Sequence, residues 1–132
     1  MQKKALLLLW VLMSVMVIGA PAAWAKNIGY GYLIAYSARE QVAYYSPILS
    51  QLAVGASSSD EEYFVKTSVI LDLESAFQKY LEQKHNISSA QYTFSARAAF
   101  KSEEIAKKRF DQEIDTFRFR GFQLIEASNF KP

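Results

Sequence analysis

Residues 91–121 read QYTFSARAAFKSEEIAKKRFDQEIDTFRFRG. The first ten alternate: Tyr92, Phe94, Ala96, Ala98 and Phe100 fall on one face, and Gln91, Thr93, Ser95 and Arg97 on the other. A period of two marks a strand with one buried side. The period then changes. Ser102 is suited to cap a helix, and Glu103 and Glu104 stand in its first turn, where the helix dipole favours carboxylates. Ala106, Phe110, Ile114 and Phe117 recur as one apolar stripe. Arg118 and Arg120 fill the last turn, Gly121 stops the helix, and Phe122 to Ala127 is apolar enough for a closing strand.

Upstream lies a second helical stripe, formed by Leu73, Ala76, Phe77, Tyr80 and Leu81. Asp72 is a plausible cap, but Val69 and Ile70 also fit the stripe, so Thr67 or Ser68 serves as well. Lys84 and His85 suit the C-terminal end of the dipole, and Asn86 can adopt the left-handed conformation that ends the helix. Tyr63 to about Ile70 is rich in strand-forming residues, whereas Gly55 to Glu62 is small and then acidic, so a mobile loop is expected over 53–62. Further back, Ile28 to Ser37 reads as a strand with Tyr30, Tyr32, Ile34 and Tyr36 on one face. Gly29 and Gly31 on the other face let a neighbouring backbone come close. Val42 to Ile48 reads as its hairpin partner, with Pro47 at an edge or bulge.

The expected fold is therefore α+β. A β-hairpin over 26–52 precedes a β-α-β-α-β run over 63–132, as a two-layer sandwich with both helices on one face of a mostly antiparallel sheet.

The N-terminus has a different character. Lys3 and Lys4 precede an apolar run from Ala5 to Ile18 broken only by Ser14, Gly19 and Pro21 end it, and Ala23-Trp24-Ala25 supplies a small-x-small pattern. That order of charge, apolar core and cleavage site is the order of a signal peptide over 1–25, cut before Lys26. The core is short of the roughly 20 residues that span a bilayer, so no stable membrane insertion is expected after cleavage. From Lys26 onward thirteen basic residues face thirteen acidic ones, because the net charge of +2 comes from Lys3 and Lys4. Nucleic acid is thereby excluded as an electrostatic partner. The chain has no cysteine. An exported domain of this size must then rely on its apolar core without disulfides, which fits a periplasmic rather than a eukaryotic secreted protein and leaves periplasmic or extracellular as the expected location.

Chemistry-bearing residues are few. His85 is the single histidine, at a helix end expected to be exposed, and no cysteine or serine arrangement marks a partner for it. Asp60-Glu61-Glu62 lacks the spaced ligands and the glycine of a calcium loop, so neither a metal nor another cofactor is implied. Asp111 and Asp115 stand at i, i+4 and read as part of a solvated face, in which Glu103 pairs with Lys107 and Glu104 with Lys108. The tyrosines of the hairpin are more suggestive, since an apolar ring with a polar tip suits both glycan stacking and protein contact. The expected binding surface combines Tyr30, Tyr32, Tyr44 and Tyr45 with Thr93, Ser95 and Arg97, on the sheet face opposite the helices.

Tyr92 to Ala127, with its aromatic strand, Phe100, a helix containing Ala106, and Arg120-Gly121-Phe122 before a strand, resembles one half of a SPOR-type peptidoglycan-binding unit. The resemblance covers about a third of the chain after the signal and implies peptidoglycan as ligand. From the residues themselves the reading is a non-enzymatic envelope binding protein whose partner is a protein or peptidoglycan, with an inhibitor or immunity-type role as one form. A carboxylate-based envelope hydrolase is the alternative from another class.

Overall fold

In the computed structural model, which describes residues 27–132, β1 (Ile28–Ser37) is the central strand. The expected signal peptide and its cleavage residues Ala23 and Ala25 lie outside the described residues. β2 (Val42–Tyr45) and β3 (Leu49–Ala53) run antiparallel along one side of β1, from Ser37↔Val42 down to Ile28↔Ala53. They are in effect one bent strand. Pro47 has no N–H for the ladder, and Ser46 bridges the break. The Ser46 N–H donates to the Leu33 carbonyl at 2.9 Å, and its Oγ accepts from the Leu33 N–H at 2.8 Å while donating to the Pro47 carbonyl at 2.9 Å. The strand expected over 42–48 thus ends at Tyr45, and a further strand, Leu49–Ala53, follows beyond its expected bounds.

On the other side of β1 lies β4 (Thr93–Phe100), antiparallel and in register from Tyr36↔Thr93 to Tyr32↔Arg97. The β1 and β4 backbones approach closely at Gly31, where a Cβ would stand 2.3 Å from the Arg97 carbonyl oxygen. β5 (Gln123–Glu126) closes the far edge, parallel to β2. The helices are α1 (Thr67–His85) and α2 (Glu103–Phe119). Asn86 ends α1 with φ of 53°, Gly121 follows α2 with φ of 84°, and the Ser102 side chain accepts from the Ile105 N–H at 3.2 Å, as the capping signals indicated. The N-cap of α1 is Lys66, without a side-chain bond, so neither Asp72, Thr67 nor Ser68 caps it. The region around 63–70 contributes one isolated bridge at Tyr63 before α1 begins.

The α+β class and the order of elements are as expected, but the two helices lie on opposite faces of the sheet. Leu33 and Ala35 pack with Leu73, Phe77 and Leu81 of α1, while their neighbours Tyr32 and Ile34 pack with Ala106, Ile114 and Phe117 of α2. Successive residues of a strand point to opposite faces, so the sheet is sandwiched and has no open side. The reason is visible in β1, whose two faces are both apolar. Such a strand must be covered twice.

β4 departs from simple alternation at its end. The register shifts between Tyr30 and Tyr32, and Ala99 holds φ of 82°. Phe94, Ala96 and Ala98 face α1, but beyond this bulge Phe100 joins the α2 side.

The segment expected to be a mobile loop is pinned. Gly55 and Phe64 form a small hairpin, with Gly55 N–H to the Phe64 carbonyl at 2.7 Å and Phe64 N–H to the Ala56 carbonyl at 2.8 Å. Its returning limb is tied to the end of β4 by Tyr63 N–H to the Ala99 carbonyl at 2.7 Å and Lys101 N–H to the Glu61 carbonyl at 2.8 Å.

Candidate functional site: the groove between β4 and α2

Thr93, Ser95 and Arg97 alternate with Phe94 and Ala96, so when the latter pack toward α1 the former turn toward α2. The helix meets them with Glu113, which sits at the flank of the buried stripe, one turn from Phe110 and from Phe117. Between them lies the Tyr32 side chain. Its ring stacks on Phe100 at 6.1 Å and meets Phe110 edge-on at 5.3 Å, and its hydroxyl donates to Glu113 Oε2 at 2.6 Å. Arg97 reaches the other oxygen, Oε1, at 3.4 Å. Burial pushes the Tyr32 hydroxyl far above the ordinary tyrosine pKa, and its hydrogen bond to the Glu113 carboxylate pushes it further. The phenol therefore remains a donor at neutral pH.

Two adjoining cavities make the groove. One, of about 360 Å³, includes Tyr32, Glu62, Arg97, Arg109 and Glu113 in its lining. The other, of about 340 Å³, includes Tyr36, Thr93, Ser95, Arg97, Glu113 and Arg120. Arg97, Glu113 and Thr116 line both. At the first end Arg109 is held 2.7 Å from Glu61, whose hydrogen bond and charge raise the guanidinium pKa. At the other, Arg120 lies 5.4 Å from the Phe122 ring and has no carboxylate partner among the described residues. Arg97 is more than half exposed, with 54% of its side chain in water.

The expected binding residues are thus divided. Tyr32, Thr93, Ser95 and Arg97 meet in this groove. Tyr30 and Tyr45 are half-buried on the same side of the sheet, Tyr45 against Phe110 at 5.4 Å. Tyr44 is on the opposite side, buried under α1 and packed against His85 at 4.9 Å and Tyr92 at 5.8 Å. His85 is accordingly half-buried among aromatic rings rather than exposed. The face bearing Arg97 was expected to lie opposite the helices; α2 covers it and leaves the groove at its margin.

Glu113, Arg109 and Arg120 were not among the expected site residues. Glu113 could have been found from its place, three residues after Phe110 and four before Phe117, which puts it against the apolar stripe rather than on the solvated face. Asp111 and Asp115 line a separate groove of about 680 Å³ beside Tyr45, both exposed, with Asp115 2.6 Å from Arg118. Among the described residues no cluster of three or more histidine, cysteine, aspartate or glutamate side chains could hold a metal ion, and no helix is long and apolar enough to cross a membrane. A scan against protein-family models and searches of curated proteins and of solved structures find nothing that matches this chain.

Proposed function

We propose that the chain is an exported, non-enzymatic binding protein of the cell envelope that captures another envelope protein through the groove between β4 and α2. The observation that carries this reading is the state of the groove's charged groups. Both oxygens of Glu113 are engaged, one by Tyr32 and one by Arg97, so the carboxylate has little freedom to act as a base. Arg97 is half free at a long contact, and Arg120 nearby has no carboxylate partner among the described residues. Tyrosine and arginine around a preformed depression are the residue types that dominate binding energy. The signal-peptide pattern supports export, and protein recovered after export begins at Lys26 on this reading.

The test is capture from an envelope extract with the full-length chain tagged at its C-terminus. Arg97→Ala removes only an exposed ion pair, which contributes about 0–1 kcal/mol to stability, so the melting temperature stays nearly unchanged while the partner is lost. Equal recovery of the partner by both proteins refutes this groove. Retention on purified peptidoglycan, in place of a protein, reassigns the partner to the polymer.

A second reading rests on Asp111 and Asp115, which do line one groove. Carboxylate hydrolysis needs two carboxyl groups in contrasting environments. Here both are exposed on one helix and Asp115 is committed to Arg118. Turnover of an envelope polymer that is abolished by Asp111→Asn would favour the hydrolase.

A further inference from the structure

We infer that the outer edge of β4 receives an extended acidic segment of the partner protein as an added strand. The inference rests on the groove reading above and supplies the partner's chemistry. Leu33 directs its N–H and carbonyl to Ser46, away from β4, so the Leu33↔Ala96 pair is not hydrogen-bonded. The backbone groups of Ala96 therefore point outward, and those of Phe94, two residues away in unbroken register, do the same. The Ala96 N–H has a partner on that side: it donates to Glu74 Oε2 of α1 at 3.2 Å. A carboxylate oxygen thus occupies the place that a strand's carbonyl would take. The end of the edge is closed, because Tyr63 and Glu61 are bonded to Ala99 and Lys101. An incoming strand is left the stretch from Thr93 to Ala98.

The charge pattern selects the occupant. Arg97 and Arg120 line the α2 side of this stretch, with Arg120 in the cavity that Thr93 also lines. Thr93 and Arg97 lie four residues apart, roughly 13 Å along a strand. A partner strand would satisfy both guanidiniums with two carboxylates on one face, four residues apart, while its other face sets apolar side chains beside Phe94 and Ala96. Main-chain bonds to the edge supply affinity and the carboxylates supply register and choice of partner.

The probe is a short synthetic peptide with glutamates four residues apart on one face, threonine at the other positions of that face and valine on the opposite face, compared with its lysine counterpart. It is titrated into the purified protein by calorimetry, with amide chemical shifts followed by NMR. The glutamate peptide should bind, the lysine peptide should not, and the largest shifts should fall on the Phe94 and Ala96 amides. Arg97→Glu should weaken binding at least about tenfold. Glu74→Ala, which uncaps the Ala96 N–H, should tighten it, and Glu74→Gln, which keeps an acceptor there, should tighten it less. Equal binding of the lysine peptide, no binding of the glutamate peptide, or shifts confined to other residues overturns strand addition. If the peptide fails while Arg97-dependent capture of a protein persists, the edge inference falls and the groove reading stands. If capture is also indifferent to Arg97, both fall.

Discussion

Replacing Gly31 with alanine tests the joint on which both the sheet and the groove depend. The new Cβ would lie 2.3 Å from the Arg97 carbonyl oxygen, 2.9 Å from the Ala98 Cα and 3.1 Å from the Leu52 Cδ1. The first two are backbone atoms and cannot rotate away. To reach ordinary contact distance β4 would have to retreat by roughly 1 Å. Overpacking of this kind costs about 1–3 kcal/mol, and one or two weakened ladder bonds between β1 and β4 add about 1 kcal/mol each. The expected loss is therefore about 2–5 kcal/mol, measured by urea denaturation as a lower midpoint at unchanged slope. Because the displaced residue is Arg97, capture of the partner should decline even where the variant remains folded. Gly121→Ala is the control, since Gly121 has φ of 84° but nothing within 4 Å of an added Cβ. Its cost is conformational alone, about 1 kcal/mol. A loss below about 0.5 kcal/mol for Gly31→Ala would mean that β4 does not approach β1 this closely and would undermine the placement of the groove.

Ser46→Ala leaves the buried Leu33 N–H without its acceptor and should cost about 1–3 kcal/mol in the same assay. Phe77 of α1 is fully buried against the sheet, so Phe77→Ala should cost about 3–5 kcal/mol; Phe110, half-buried, should cost about half as much. Alkaline titration should expose Tyr32: the folded state keeps its phenol protonated while the unfolded chain ionises near pH 10, so its contribution is present below about pH 10 and is lost above it. That loss should reach about 1 kcal/mol between pH 10 and 11, and Tyr32→Phe should flatten the decline in denaturation midpoint over that window.

Much of this architecture could be read in advance because local signals coincide with tertiary ones. The Ser102 cap, the Asn86 and Gly121 stops and the glycine-lined face of β1 each act within a few residues or by the absence of a side chain, and each occurs where expected. The disposition of the helices is another matter. It depends on whether β1 is covered once or twice, and the clue is that Leu33 and Ala35 are as apolar as Tyr32 and Ile34. The mobile-loop expectation for 53–62 followed composition, which carries no sign of the backbone bonds that Glu61 and Tyr63 make to the end of β4. For the site, Thr93, Ser95 and Arg97 were legible from alternation. Their helical counterpart Glu113 was legible only as a residue beside the apolar stripe, between Phe110 and Phe117; its role depends on α2 crossing the face where Arg97 projects. The Ala99 bulge, which turns Phe100 from one core to the other, has no sequence signal, since alanine disfavours a φ of 82°.

With both faces covered, the sheet's edges are what it can offer to another chain. Edge strands invite pairing, and proteins limit this by shortness, charge or cover. β5 is four residues long, lies at one edge and ends at Glu126. β4 is twice that length, and its C-terminal end is covered by the pinned hairpin. What protects its middle is a single long side chain, Glu74, bound to one amide at 3.2 Å. A carboxylate on a helix can rotate away without disturbing the fold, whereas a paired strand cannot leave so readily. The edge is therefore shielded against chance pairing but open to a competitor that brings both a carbonyl for Ala96 and carboxylates for the arginines alongside. A partner lacking the charges would have to displace Glu74 with no compensating ion pair, and this makes the cap a source of selectivity as well as of solubility.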